Sequence, residues 1–85
     1  MNWTVRLARR AARAVSDAPV ADRRRLHSAL HFMSADPFSG DILRVEGRSG
    51  VWRRRVGDWR VLFSVDDENR IVSVAAILRR TSTTY

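Results

Sequence analysis

Val51-Trp-Arg-Arg-Arg-Val-Gly-Asp-Trp-Arg-Val-Leu-Phe-Ser-Val65 is the stretch whose reading decides the fold. Two runs of β-formers flank Gly57-Asp58, a pair suited to a two-residue hairpin turn, because glycine takes positive φ freely and aspartate tolerates it. Counting outward from that turn sets Val56 against Trp59, Arg55 against Arg60, Arg54 against Val61, Arg53 against Leu62 and Trp52 against Phe63. Side chains alternate between the faces of a sheet. Trp52, Val56, Trp59, Val61 and Phe63 therefore share a core face, with Arg54 its odd member, and Arg53, Arg55 and Arg60 share the other. Like charges placed opposite each other destabilise a sheet. An ordinary solvated face would carry arginines too, but a polyanion lying across Arg55 and Arg60 would convert the repulsion into binding.

With 85 residues the chain is expected to form one domain, spanning 1–85, with a modest core. Hydrophobic residues make up 45%, enough for a folded globule rather than a disordered basic tail. The absence of cysteine excludes disulfides and Cys-based zinc sites and fits a reducing cytoplasm. No apolar run approaches the roughly 20 residues of a membrane span, and no signal-peptide pattern opens the chain. All 16 basic residues are arginine, and the net charge is +7. Every cation is thus a planar fork suited to phosphate, and none can serve as an amine base near neutral pH. A small domain of this charge points to nucleic acid, an acidic protein partner, or both.

Trp3–Leu7 alternates as a first strand with Trp3, Val5 and Leu7 inward. Residues 8–16 read as a short helix, broken at Asp17-Ala18-Pro19, and 20–34 as a second helix with Val20, Leu26, Leu30 and Met33 near one side. Asp36-Pro-Phe-Ser-Gly40 is a loop. Ile42–Glu46 reads as a strand, Gly47–Gly50 as the turn into the hairpin, and Asp66–Asn69 as an acidic turn. Ile71–Leu78 is an apolar last strand. Its parity sets Val72, Val74, Ala76 and Leu78 on one side and Ser73, Ala75, Ile77 and Arg79 on the other. If Ser73 and Ala75 line the open face, Arg79 joins Arg53, Arg55 and Arg60 there.

His27 and His31 have a metal-compatible i, i+4 spacing, but no third ligand stands near and no metal or other cofactor is expected. No Ser-His-Asp set or nucleotide-binding glycine loop is present. The remaining constellation is Arg53, Arg55, Arg60, Arg79, Arg80 and Tyr85. Guanidinium groups can hold a phosphodiester and stabilise the charge that builds up as it is cleaved. A ring of arginines would also favour the phenolate of Tyr85.

The order of these pieces resembles the RelE/ParE superfamily of toxins from bacterial toxin–antitoxin pairs. Gly57-Asp58-Trp59-Arg60-Val61-Leu62-Phe63 is similar to its Gly-Asp-Tyr-Arg-Val core, Trp52-Arg-Arg-Arg-Val56 to its Trp-x-x-Arg-Val strand, and Ile77-Leu-Arg-Arg ending at Tyr85 to its closing strand and terminal tyrosine. The resemblance implies an α+β fold of order β-α-α-β-β-β-β. Its small antiparallel sheet has a mixed edge, and an N-terminal helical hairpin packs on one face. It also implies a cytoplasmic, ribosome-dependent mRNA endonuclease. In that activity Arg60 would meet transition-state charge, Arg53 and Arg55 would position phosphate, Arg79 or Arg80 would serve the leaving group, and Tyr85 would act as general base or stacking platform. Lysines used by some RelE members are absent, and Thr81–Thr84 separates Arg80 from Tyr85. The implied partners are a cognate antitoxin, the ribosome with its mRNA, and operator DNA when the antitoxin is bound. The alternatives are a ParE-like inhibitor of DNA gyrase, or a decayed toxin that only binds antitoxin or nucleic acid.

Overall fold

The computed structural model describes residues 2–80. In chain order its elements are β1 (Thr4–Leu7), α1 (Arg9–Asp17), α2 (Val20–Ala35), β2 (Ile42–Arg44), β3 (Trp52–Val56), β4 (Trp59–Asp66) and β5 (Ile71–Arg79). The strands form one sheet in the order β1-β5-β4-β3-β2. β1 runs parallel to β5 and the other pairings are antiparallel, which gives the expected α+β fold with a mixed edge.

The hairpin forms in the register counted from the turn, including Arg55 opposite Arg60. Gly57 has φ +57, whereas Asp58 is not among the positive-φ residues. Positive φ at the first central position alone is the pattern of a type II′ turn, whose twist matches that of paired strands.

Both helices cover one face of the sheet. Ala11 and Val15 of α1, four apart, and Leu26, Ala29 and Met33 of α2, at helical spacing, are buried. Ala11, Val15, Leu26 and Met33 meet Trp59, Val61, Phe63, Val72, Val74 and Ile77 in a single core cluster. Phe63, Leu26, Met33, Val61, Val72 and Val74 are fully buried, each worth about 1.5–3 kcal/mol relative to exposure. Val20, expected inward, is exposed at the first turn of α2. Between the helices the Arg23 guanidinium donates to the Ala18 carbonyl (3.2 Å), satisfying an acceptor at the end of α1.

Arg54 is the exception within the core face, at 9% exposure. Its Nη1 donates to the Ser39 carbonyl (2.6 Å) and to Ser39 Oγ (3.0 Å), tying the 36–40 loop to β3. The loop passes so close that a Cβ on Gly40 would stand 2.7 Å from Arg54 Cζ, and Gly40 has φ +82. Burial lowers the Arg54 pKa from the ordinary arginine value, and the Asp36 carboxylate pulls it back up.

The last strand departs from simple alternation. Leu62 pairs with Ala76 but Phe63 pairs with Val74, so Ala75 is an extra residue at a β-bulge. Beyond it the faces exchange. Ile77 is buried opposite Val61, and Leu78 comes to the open face opposite Arg60. Arg79 is thereby carried to the helix-covered side, opposite Trp59, and does not join Arg53, Arg55 and Arg60. β2 also stops at Arg44, and Glu46 belongs to the turn that follows.

Candidate functional site

The uncovered face of the sheet carries two adjacent rows of side chains. One runs Leu43–Arg53–Leu62–Ala76 across β2, β3, β4 and β5, and the next runs Arg55–Arg60–Leu78 across β3, β4 and β5. Directly opposed residues have Cβ atoms about 5 Å apart and diagonal ones about 7–8 Å apart. Arg53, Arg55 and Arg60 therefore crowd one patch, as their register predicts. The Arg53 and Arg60 side chains make no hydrogen bond or ion pair among the described residues, and buried Arg53 Nε has no partner there. Among the described residues Arg55 makes only a 3.5 Å hydrogen bond, from Nε to the Gly57 carbonyl. These cations are held in place by strand geometry and remain free to receive anionic oxygens.

Arg53 and Arg60 line a groove of about 610 Å³ together with Leu43, Arg44, Val45, Glu46, Leu62 and Leu78, and Arg55 stands outside it. Glu46 enters because Val45 N–H donates to the Val51 carbonyl (2.9 Å), folding the Gly47–Gly50 turn back beside β3. It is in no ion pair among the described residues. Read as the end of a strand, Glu46 gives no sign in the sequence of its place here. The leucines were missed also, although Leu43 and Leu62 share the parity of Arg53.

Arg79 has other contacts. Its guanidinium lies over the Trp59 ring (5.5 Å to the centroid), and Nη2 is 3.7 Å from Asp22 Oδ2 at the start of α2. These interactions fasten the end of β5 to the helical layer. The backbone N–H of Arg80 still bonds to the Asp58 carbonyl (2.6 Å), so alternation assigns Arg80 to the open side. Tyr85 lies outside the described residues. His27 and His31 are exposed on α2, and no group of three or more metal-ligating side chains forms among the described residues.

Fold and site together define a small basic α+β domain: one sheet face is sealed by a helical hairpin, and the other carries an arginine-rich groove. Residues 4–83 match the family model described as the ParE toxin of the type II toxin–antitoxin system parDE, and the chain belongs to that family, within the RelE/ParE superfamily. The RelE1 protein of Methanocaldococcus jannaschii is 26% identical over 83 residues, covering 94% of this chain and 92% of its own length. Among solved structures, a chain of the RelE–RelB complex from Pyrococcus horikoshii superposes with a TM-score of 0.82 at 23% identity, covering 98% of this chain and 100% of that one. A chain of the RelBE2 toxin–antitoxin complex of Mycobacterium tuberculosis gives 0.77 at 27% identity, with 94% and 100% covered. The isolated E. coli RelE toxin gives 0.78 at 15% identity, with 96% and 88% covered.

Proposed function

We propose that this toxin is a ribosome-dependent mRNA endonuclease acting in the cytoplasm. The observation that carries the reading is that Arg53 and Arg60 line one open groove together with Glu46, with Arg55 beside it, directly opposite Arg60 in the sheet. In the proposed reaction an mRNA 2′-oxygen attacks the adjacent phosphorus. The 2′-O–P bond forms as the P–O5′ bond breaks, leaving a 2′,3′-cyclic phosphate and a 5′-hydroxyl. Arg53 and Arg55 position the phosphate, and Arg60, nearer the middle of the sheet, neutralises the charge gathering on the phosphoryl oxygens. Removing one such preorganised donor typically costs about 10²–10³ in rate.

Arginine is a poor proton carrier. The 2′-hydroxyl proton therefore goes to Glu46 or to Tyr85, and the departing O5′ takes a proton from solvent water. The Arg79–Asp22–Trp59 contacts favour Arg80 over Arg79 beside the leaving group. Because the charge is +7, the proposed protein partner is an antitoxin with an acidic or amphipathic segment that masks the groove. Operator DNA is a proposed ligand of the toxin–antitoxin pair.

Inducing the wild type and Arg60→Ala in cells and mapping mRNA 5′ ends tests the activity. Codon-phased breaks in translated messages, absent with the variant, are expected. The match to a ParE family model favours gyrase inhibition as the second reading. Growth arrest with double-strand DNA breaks and intact messages would establish that instead. Harmless expression would identify a decayed toxin.

A further inference from the structure

We infer that Leu43, Leu62 and Leu78 form a nucleobase subsite, so that the groove grips a nucleotide by its base as well as by its phosphate. The inference rests on the reading of this face as an mRNA site and adds what holds the base.

Leu43 and Leu78 are 57% and 51% exposed, yet they are not scattered: both line one groove together with Leu62. A lone exposed leucine is ordinary, but apolar side chains gathered in a concavity mark a binding surface. Each leucine stands beside an arginine. Arg53 lies directly between Leu43 and Leu62, and Arg60 lies directly opposite Leu78. Neighbouring strands are about 5 Å apart. A cation and an apolar platform separated by one strand spacing match a phosphate and the base of the same nucleotide.

The volume of about 610 Å³ lies within the roughly 300–1,000 Å³ range of small-ligand clefts. Such a bounded concavity suits a nucleotide better than the long apolar track an amphipathic helix needs. Arg53, whose buried Nε has no partner among the described residues, stands at the junction of the two halves with its guanidinium committed to no other group there. Leucines offer any base an apolar face without reading its hydrogen-bonding edge, so binding is tolerant of sequence on the floor. Discrimination is left to Glu46 at the rim, which can accept from exocyclic amino groups.

The test uses the purified full chain and two 2′-O-methyl trinucleotides of equal charge, one intact and one abasic at the central position. The wild type is expected to bind the intact oligomer about five- to tenfold more tightly, near the lower end of measured base-stacking contributions. In Leu43→Ser and Leu78→Ser, checked for unchanged thermal midpoints, that ratio should fall towards one while affinity for inorganic phosphate is retained. A wild-type ratio of one, an unchanged ratio in both variants, or no measurable binding of either oligomer would overturn the inference. So would variants that lose only an acidic amphipathic peptide, since the floor would then be a protein-docking surface. Arg60→Ala separates the two readings. If it weakens both oligomers equally, the phosphate site stands whatever the leucines do. If it leaves both unchanged while the base ratio persists, the subsite stands and the proposed arginine chemistry falls.

Discussion

Arg53, Arg54 and Arg55 are consecutive and chemically identical, yet the structure gives Arg54 a role its neighbours lack. Arg54 is 9% exposed and donates to both the carbonyl and the hydroxyl of Ser39. A hydrogen bond from a charged group contributes about 1.5–3 kcal/mol. Truncation also strips the aliphatic stem from beneath the 36–40 loop, while relief of the guanidinium's desolvation offsets part of the loss. Arg54→Ala is therefore expected to cost about 2–3 kcal/mol, and Arg54→Met, which keeps most of the stem, about 1–2 kcal/mol. At about 4–8 °C per kcal/mol for a domain of this size, the alanine variant should melt roughly 10–20 °C lower. Arg55→Ala is expected within about 0.5 kcal/mol of wild type, because it removes an exposed side chain facing Arg60. Urea titrations followed by tryptophan fluorescence would report all three. Equal losses at Arg54 and Arg55, or a loss below about 0.5 kcal/mol at Arg54, would refute the assignment.

Gly40→Ala should cost about 1–3 kcal/mol, since it places a Cβ at φ +82 and 2.7 Å from Arg54 Cζ; the Gly40→Ala/Arg54→Met pair should be less destabilised than the sum of the singles. Added salt should stabilise the wild type more than Arg55→Gln, because it screens the Arg55–Arg60 repulsion; identical salt slopes in denaturation would argue otherwise. Arg79→Ala should lower stability by about 1 kcal/mol through loss of the Trp59 and Asp22 contacts, measured by thermal melting. The Asp66 carboxylate accepts from the side-chain and backbone amides of Asn69, which holds its pKa below the ordinary carboxylate value. The unfolded chain thus binds that proton more readily, and the contribution is complete above about pH 4 and lost as pH falls through the folded-state pKa. Acid titration of stability should accordingly be shallower for Asp66→Asn.

The central hairpin was legible because a two-residue turn leaves no freedom of register, and the period of two then assigns every side chain to a face. The same period misled at β5. Val72, Val74, Ala76 and Leu78 read as one uninterrupted apolar alternation, and the extra residue, Ala75, bears a small side chain acceptable on either face. Nothing in the run marks the bulge, so unbroken alternation from Ser73 sets Arg79 on the wrong side. Arg54 was recognisable as out of place, but its partner Ser39 is 15 residues away across a loop whose path is not encoded by periodicity. Glu46 was hidden for a similar reason: it reaches the groove through a turn, where alternation ends. The open-face cluster of Arg53, Arg55 and Arg60, set by strand alternation alone, was legible.

The most direct measurement is the rate of mRNA cleavage on ribosomes programmed with a defined message, comparing wild type, Arg60→Ala and Arg79→Ala well below their melting temperatures. Arg60→Ala is expected to lower the rate by about 10²–10³, in line with loss of a preorganised charge donor, while Arg79→Ala stays within about threefold of wild type. Cleavage that collapses equally in both variants, or survives intact in Arg60→Ala, would contradict the assignment of the chemistry to the open face.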